Sequence, residues 1–437
     1  MLAGNKPKAP RIVRDYYRHR GSQIVKNVIL LTIDTLRKDV LGCYGNKDGL
    51  TPFLDSIMTK CIVFDNHQST GPYTQASFPG ILTSSYFLEY GNPKNLSTQR
   101  TLISEVLKNG GFATAGFHSN PYLCTFFGWN RGWDIFYDSM QDQVTDMVPY
   151  IAGDKINKKA SDWLGSHTKK SGYRPFFLWA HYMDVHEPYV PDQEYIDRID
   201  SSIRLSKQEM FAMFKEVILP RDISDPAKVE LLRKLYCAHV TQVDEYTKEF
   251  FDNLESLGLL DNTVIIITTD HGDEFGDHSS LSHDGKMYSE LVNVPLIIYE
   301  PDRTENQRVD TYVSGVDISP TVAKLFSLEI PHDFHGQPLL PLENYEPRGC
   351  FGEAIGKLAH KVKPTDRPVH FYQDGSLRIS HRIEDDRWEM YDLSSDPREQ
   401  SNIVELSDKS EEMKKKLKSK IHWFNKGDSP VTNIEQS

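Results

Sequence analysis

Residues 263–278 read TVIIITTDHGDEFGDH, a run of β-branched apolar residues that ends abruptly in acids and histidines. The run predicts a strand that is buried on both faces, as in a parallel sheet. Carboxylates and imidazoles are costly to bury unless a metal or a substrate uses them. Because ligands of open α/β sheets bind beyond the carboxyl ends of the strands, Asp270 and His271 mark a candidate site.

Further buried strands also deliver polar side chains to their ends. They are Asn27–Asp34, Phe112–Phe117 followed by His118 and Asn120, and Phe176–His181 followed by His186. Helical segments alternate with the strands, which predicts a doubly wound, mostly parallel sheet flanked by helices. We therefore expect these polar groups to meet at one edge of the sheet.

The pattern changes after Leu340-Pro341, where short alternating segments replace the buried strands. They predict a small antiparallel sheet, followed by a charged helix over 409–420 and a frayed tail from Lys426. We expect a main α/β domain over 1–340, with a charged insertion at about 190–225, and a C-terminal α+β subdomain over 341–437. The first 26 residues are expected to form a short helix or arm.

The composition limits the classes of partner. A net charge of −12 and a pI near 5.7 argue against nucleic acid, so any anion site must be locally positive. Five scattered cysteines favour free thiols in a reducing compartment. The chain shows neither the apolar core of a signal peptide nor a run long enough to cross a membrane, so we expect a cytoplasmic protein without a membrane partner. A homo-oligomer is left open.

Two carboxylates and a neutral imidazole are suitable ligands for Mg, Mn, Ca or Zn. A metal there would polarise an ester oxygen and activate a nearby hydroxyl. The hydroxyl of Thr74, which lies in a polar loop before a helix, is a candidate nucleophile. Two structural alternatives stay open, because Asp34 alone could cap a helix or pair with an arginine, and Thr74 could be a helix N-cap.

In this order, and over nearly the whole chain, these segments resemble the sulfatase family of the alkaline phosphatase superfamily. The matching segments are Asn27–Asp39 (NVILLTIDTLRKD), Thr51–Asp55 (TPFLD), Thr74–Ser84 (TQASFPGILTS), His181–Tyr189 (HYMDVHEPY), Asp270–Gly272 (DHG), His283–Pro295 (HDGKMYSELVNVP), Gly315–Thr321 (GVDISPT) and Glu389–Pro397 (EMYDLSSDP).

The resemblance implies that Asp34, Asp270 and His271 bind one divalent metal, with Thr74 as the nucleophile and a further ligand. It also implies that a small anionic ester is the substrate. His186 and His283 would contact its anion or protonate the leaving oxygen, and Asn120 and Lys286 would be further anion contacts. Lys286 could instead be a solvated loop charge, while His278 is expected to stabilise a loop and His181 to be a core histidine.

Departures from the family pattern change which substrate and which metal are expected. Thr74 cannot form the formylglycine of typical sulfatases, and Phe78 replaces the arginine of that motif. Thr35 replaces a second acidic ligand, and His271 replaces an asparagine, which shifts the metal preference from Ca toward Mn, Zn or Mg.

We therefore expect a metal-dependent hydrolase of sulfate or phosphate esters. The alternatives are a Thr-based phosphodiesterase, phosphonate hydrolase or phosphotransferase, and a non-catalytic anion-binding descendant. Asp184, His186 and His283 would be available for a second metal.

Overall fold

The computed structural model describes residues 26–90, 95–138, 142–355 and 366–424. The predicted amino-terminal arm and the predicted frayed tail fall almost entirely outside these ranges. In the described residues the strands are β1 Asn27–Ile33, β2 Cys61–Gln68, β3 Ala113–His118, β4 Ile135–Asp138, β5 Phe176–Tyr182, β6 Thr263–Thr268, β7 Glu274–Phe275, β8 Leu281–Ser282, β9 Asn293–Tyr299, β10 Gln307–Ser314, β11 Cys350–Ile355, β12 Pro368–Asp374, β13 Leu377–Arg382 and β14 Arg387–Asp392.

The α-helices lie between these strands, except for the last one, which follows β14. They are α1 Pro52–Ser56, α2 Thr74–Thr83, α3 Ile103–Asn109, α4 Gly153–Thr168, α5 Gln193–Asp200, α6 Lys207–Met213, α7 Pro226–Ser256, α8 Ser289–Val292, α9 Ile318–Leu325 and α10 Ser410–Phe424. A π-helical turn, Phe214–Ile218, continues α6. In the described part of the chain, no helix is both long and apolar enough to span a membrane.

The main sheet has eight strands in the order β10-β2-β9-β6-β1-β5-β3-β4. Strand β1 lies near its centre and pairs in parallel with β5 and β6. Alternate residues of β1 enter two apolar clusters on opposite faces: Val28 and Leu30 lie in one, and Ile29 and Leu31 in the other. Helices thus cover both faces, which confirms the prediction of a doubly wound, mostly parallel sheet.

One strand of the main sheet runs in the opposite direction. Strand β9 is antiparallel to both of its neighbours, β6 and β2. Its residues are as apolar as those of a parallel strand because both of its faces are buried, so the residue pattern does not reveal its direction.

A four-stranded antiparallel sheet, in the order β11-β12-β13-β14, forms the C-terminal part of the fold. Helix α10 packs Met413 and Leu417 into a cluster with Phe351, Ile379 and Met390 of this sheet. The prediction of a small antiparallel sheet is confirmed, although it missed β11, whose Gly352 and Glu353 interrupt the apolar pattern. The domain boundary at residue 340 stays a prediction.

The N-terminus of helix α1 is capped by a residue distant in sequence. Thr51 occupies the N-cap position, but its side chain does not cap the helix. The amides of Phe53 and Leu54 donate instead to the carboxylate of Asp244 on α7, at 2.8 and 2.9 Å. A helix cap can come from a distant segment, and the local sequence does not show this.

The predicted insertion at 190–225 is mainly helical and contains α5, α6 and the π-helical turn. Arg221, near its end, donates from its guanidinium to the carbonyls of Leu281 and His283. The insertion is therefore attached to the loop that carries His283.

Candidate active site

The carboxyl ends of three adjacent strands bring the predicted polar residues together. Asp34 follows β1, His181 lies near the end of β5, and Asp270 follows β6 by two residues. All three are fully buried. Because β1 is paired on one side with β5 and on the other with β6, Asp34 lies between the other two groups.

Asp34, Asp270 and His271 form a compact cluster of metal-ligand type. Each offers one donor atom, and these atoms lie within 4.8 Å of one another. His271 Nε2 is 3.6 Å from Asp34 Oδ1 and 3.4 Å from Asp270 Oδ2. The structure thus places together the three residues predicted to bind a metal.

A hydrogen bond determines which nitrogen of the His271 ring carries the proton. Its Nδ1 lies 2.8 Å from the carbonyl oxygen of Gly272, which can only accept, so Nδ1 carries the proton. Burial, the largest effect, lowers the pKa of His271, which favours the neutral ring. Nε2 then directs a lone pair toward the two carboxylates.

Among the described residues, the three atoms that could bind a metal have no hydrogen-bond partner. Asp34 Oδ1, Asp270 Oδ2 and His271 Nε2 are buried and accept no hydrogen bond from the described residues. Burial and the charge of Asp34 raise the pKa of Asp270, whereas that of Asp34 is lowered because His181, His186 and His271 outweigh its burial. A divalent cation would satisfy all three atoms and offset the repulsion between the carboxylates, so the residues fit such an ion.

Thr74 is the first residue of α2 and lines the cavity beside this cluster. Its Oγ1 lies 3.5 Å from Asp34 Oδ2. Tyr73 occupies the N-cap position, so the alternative of Thr74 as an N-cap is wrong. The helix N-terminus adds a favourable field for an anion.

Asn120 connects Thr74 with Asp34. Its Nδ2 lies 2.9 Å from Asp34 Oδ2 and 3.3 Å from Thr74 Oγ1, and its Oδ1 accepts from the amide of Tyr122. The last contact fixes the orientation of the amide group, so Asn120 holds the nucleophile candidate against the metal-ligand candidate. Its predicted contact with a substrate anion stays a prediction.

Phe78 occupies the position where the resemblance to sulfatases predicts an arginine. Its ring is fully buried and packs edge-on against His181 and Trp179, with centroids 5.2 and 5.6 Å apart. His181 in turn has its Nδ1 2.8 Å from Thr32 Oγ1 and its Nε2 3.2 Å from Asp34 Oδ2. His181 is thus a core histidine, as predicted, that also contacts the ligand cluster.

His186 and His283 line the same cavity as Thr74, with their ring centroids 5.1 Å apart. His283 Nδ1 is 3.2 Å from Asp273 Oδ1 and 3.8 Å from Glu187 Oε2. Burial opposes protonation of His283, but these two carboxylates raise its pKa to about 9. Glu187 and Asp34 likewise outweigh burial and raise the pKa of His186. The site therefore has a cationic side that favours an anion.

Sequence reasoning missed Asp273 and Glu187. Asp273 is fully buried and accepts from the hydroxyl of Tyr189 as well as from His283. The only local signal is its place in the acidic stretch after His271. Its partner lies ten residues away, on the other side of the β7–β8 hairpin, so the sequence alone does not single it out.

Two other predicted residues are not brought to the site. Lys286 is paired with Glu274, with Nζ 2.9 Å from Oε2, and does not line the cavity. Its ammonium is held by this carboxylate and by the carbonyl of His278, so it is not free to contact an anion. Asp184 accepts from the amide of Gly153 at 2.9 Å, so the predicted second metal set of Asp184, His186 and His283 is not assembled. Glu187 takes its place near the two histidines.

His278 behaves as expected for a residue that stabilises a loop. Its Nδ1 is 2.6 Å from Glu290 Oε1, and its ring stacks on Tyr288 with centroids 3.6 Å apart. The five cysteines are free, as predicted.

Known proteins share both the sequence pattern and the fold. The family model described as "Sulfatase" matches residues 26–328, and one described as "N-sulphoglucosamine sulphohydrolase, C-terminal" matches residues 276–426. An N-acetylglucosamine-6-O-sulfatase of Bacteroides thetaiotaomicron is 24% identical over 86% of this chain and 82% of its own length. The multifunctional alkaline phosphatase superfamily protein PehA of Trinickia caryophylli is 23% identical over 87% of this chain and 91% of its own.

Solved structures show the same fold. A protein in complex with its substrate D-glucosamine-2-N,6-O-disulfate superposes with a TM-score of 0.77 at 22% identity, covering 95% of this chain and 100% of that one. The phosphonate monoester hydrolase of Agrobacterium radiobacter superposes with a TM-score of 0.73 at 19% identity, covering 92% and 95%.

Proposed function

The chain belongs to the sulfatase family of hydrolases, and on this premise we propose that it is a metal-dependent hydrolase of sulfate or phosphate esters with Thr74 as its nucleophile. One observation supports the proposal above all. The hydroxyl of Thr74 lies beside three buried donor atoms, one each from Asp34, Asp270 and His271, that lack any other partner in the described residues. An unused cluster of this kind would be costly to bury.

Asp34, Asp270 and His271 would hold the ion, with Thr74 as an additional ligand. The ion would polarise an oxygen of the ester and lower the pKa of the Thr74 hydroxyl. The single imidazole favours Mn or Zn over Ca, and a tolerant Mg site is also compatible with it. We propose one ion. The other group of ligand-type side chains, His186, Glu187 and His283, is better described as a set of ion pairs, because His283 Nδ1 is hydrogen-bonded to Asp273 and lies 3.8 Å from Glu187 Oε2.

The reaction would proceed in two displacements. Thr74 Oγ1 attacks the sulfur or phosphorus, its proton passes toward Asp34 Oδ2, and the bond to the leaving oxygen breaks. His186 stabilises charge on the non-bridging oxygens, and His283 protonates the leaving oxygen. In the second displacement water attacks the same atom and gives a proton to His283, the bond to Thr74 Oγ1 breaks, and the proton held by Asp34 returns to Oγ1.

The second candidate function is that of a Thr-based phosphodiesterase, phosphonate hydrolase or phosphotransferase. Thr74 and Phe78 support it, because neither belongs to a formylglycine motif. The similarity to a phosphonate monoester hydrolase and to PehA is compatible with it. A non-catalytic anion-binding protein is the third alternative.

A substrate panel separates these candidates. Matched aryl sulfate, phosphate monoester, phosphodiester and phosphonate substrates are each assayed with Mg, Mn, Ca and Zn, and the bound metal is measured by elemental analysis. The proposal expects about one ion per chain and metal-dependent turnover of at least one ester. Absence of both stoichiometric metal and turnover would support the non-catalytic alternative.

A further inference from the structure

We infer that the substrate carries a single anionic group and that its alcohol part is apolar and uncharged. This inference rests on the proposed function, because it concerns the cavity next to Thr74. The cavity has a volume of about 470 Å³, within the range of ligand-binding pockets, and Thr74, Asn120, His186 and His283 belong to its lining. The rest of the lining would contact the alcohol part.

The helical insertion contributes an apolar wall. Phe214 and Ile218 of the π-helical turn line the cavity together with Leu219, and Met183 also belongs to the lining. Leu219 is 59% exposed. Together with Phe214, Ile218 and Met183 it gives the cavity an apolar wall, which favours a ligand with an apolar surface.

The rings of Tyr73 and Tyr150 extend this surface, and the hydroxyl group of each is hydrogen-bonded to the main chain. The hydroxyl of Tyr73 donates to the carbonyl of Ile355 and accepts from its amide, both at 2.9 Å. The hydroxyl of Tyr150 donates to the carbonyl of Asp184. Both tyrosines therefore offer aromatic rings, rather than hydrogen-bonding groups, to a ligand.

The charges in the lining argue against a second anionic group on the substrate. Among the described residues that line the cavity, Arg221 is the only lysine or arginine. Its guanidinium donates to the carbonyls of Leu281 and His283. Asp146 and Glu187 add negative charge. A sulfate or carboxylate on the alcohol part would lose water without gaining a cationic partner, and this is costly.

A sugar with several hydroxyl groups would leave the apolar wall of Phe214, Ile218 and Leu219 without an apolar partner. Ser282 Oγ is not free to bind such a ligand, since it donates to Glu187 Oε1 at 2.8 Å. The geometry thus points to an ester of an apolar ring or branched alkyl alcohol, in contrast to the disulfated sugar bound by the similar solved structure.

A matched pair of substrates tests the inference. The 2-naphthyl ester of the anion favoured in the panel is compared with its 6-sulfonate analogue, which has a similar leaving group and one extra negative charge. We expect kcat/KM to be at least about tenfold higher for the naphthyl ester. Equal values, higher values for the sulfonate, or faster turnover of a sulfated sugar would overturn the inference.

Variants of Leu219 test whether the apolar wall of the cavity contacts the alcohol part of the substrate. Leu219→Asp should raise KM for the naphthyl ester about tenfold with a smaller change in kcat, and Leu219→Arg should raise kcat/KM for the sulfonate analogue. Leu406→Asp is the matched control, because Leu406 is also an exposed leucine (83%) and does not line the cavity. Identical kinetics for Leu219→Asp and Leu406→Asp would contradict the inference.

A direct binding measurement tests this inference independently of the proposed hydrolase activity. If no ester is hydrolysed, the proposed function fails, but a fluorescence titration with 2-naphthol still reports on the cavity. Saturable binding of 2-naphthol that is weakened by Leu219→Asp, together with weaker binding of 6-hydroxynaphthalene-2-sulfonate, would support the inference. No binding of 2-naphthol, or tighter binding of the sulfonate, would overturn it.

Discussion

His271 Nε2 lies 3.4 Å from Asp270 Oδ2, while the opposite nitrogen of the same ring is bonded to a main-chain carbonyl. An imidazole held in this way can offer only a lone pair to a neighbouring carboxylate in its neutral form. With Asp34 Oδ1 at 3.6 Å from the same nitrogen, three lone-pair donors converge in a fully buried space. A cation is the ligand that makes this arrangement favourable.

Removal of the metal should destabilise the protein. Binding of an ion at a free concentration one hundred times its Kd contributes about 2.7 kcal/mol to the free energy of unfolding. Dialysis against a chelator should therefore lower Tm, and adding back Mn or Zn should restore it. Asp270→Asn should lose this response, whereas Asp48→Asn, at an exposed position, should keep it. An unchanged Tm after complete removal of metal would contradict the assignment.

Asp273 should act by positioning His283. Asp273→Asn removes the carboxylate that accepts from His283 Nδ1, so protonation of the leaving oxygen should suffer. We expect kcat to fall about 10- to 100-fold for esters of poor leaving groups and much less for 4-nitrophenyl esters. A uniform loss across leaving groups would indicate that Asp273 has only a structural role.

The ion pair between His278 and Glu290 should make stability depend on pH. Burial opposes protonation of His278, but the bond to Glu290 raises its pKa from 6.5 to about 9. A folded-state pKa above the unfolded one stabilises the fold below pH 6.5, and this contribution is lost as the pH rises through about 9.

His278→Gln should therefore lower the free energy of unfolding by about 1–2 kcal/mol at pH 6, relative to its effect at pH 10. Denaturant titration of both proteins at the two pH values measures this difference. If the two losses are equal, the pair does not contribute in this way.

Asp244 should stabilise the fold as the external cap of α1. Asp244→Ala leaves the amides of Phe53 and Leu54 without their acceptor, which should cost about 1–3 kcal/mol of unfolding free energy. Asp252→Ala, at an exposed position of the same helix, is the control and should change stability by less than about 0.5 kcal/mol. Equal effects of the two substitutions would contradict this role.

The sheet and the three proposed metal ligands could be predicted from the sequence, because both follow from where the buried strands end. Asp34, Asp270 and His271 come directly after apolar runs, so their meeting at one edge follows from the topology of parallel strands. The direction of β9 could not be predicted in this way, since a strand buried on both faces looks the same in either direction.

The rest of the site depends on loops, whose course is not encoded in local patterns. Asp184 and Glu187 lie three residues apart after β5, yet one accepts from Gly153 and the other faces His283. Lys286 resembles a substrate contact by position, but a buried partner, Glu274, holds it elsewhere. Such pairings between segments distant in sequence decide which charged groups reach the cavity.

The most direct test of the account is the turnover rate of Thr74→Ala beside that of Thr74→Ser. With metal content shown to be unchanged, Thr74→Ala should lower kcat at least about 1000-fold, because it removes the nucleophile, while Thr74→Ser should retain measurable turnover. Full activity of Thr74→Ala on every ester that the wild-type protein cleaves would contradict the mechanism.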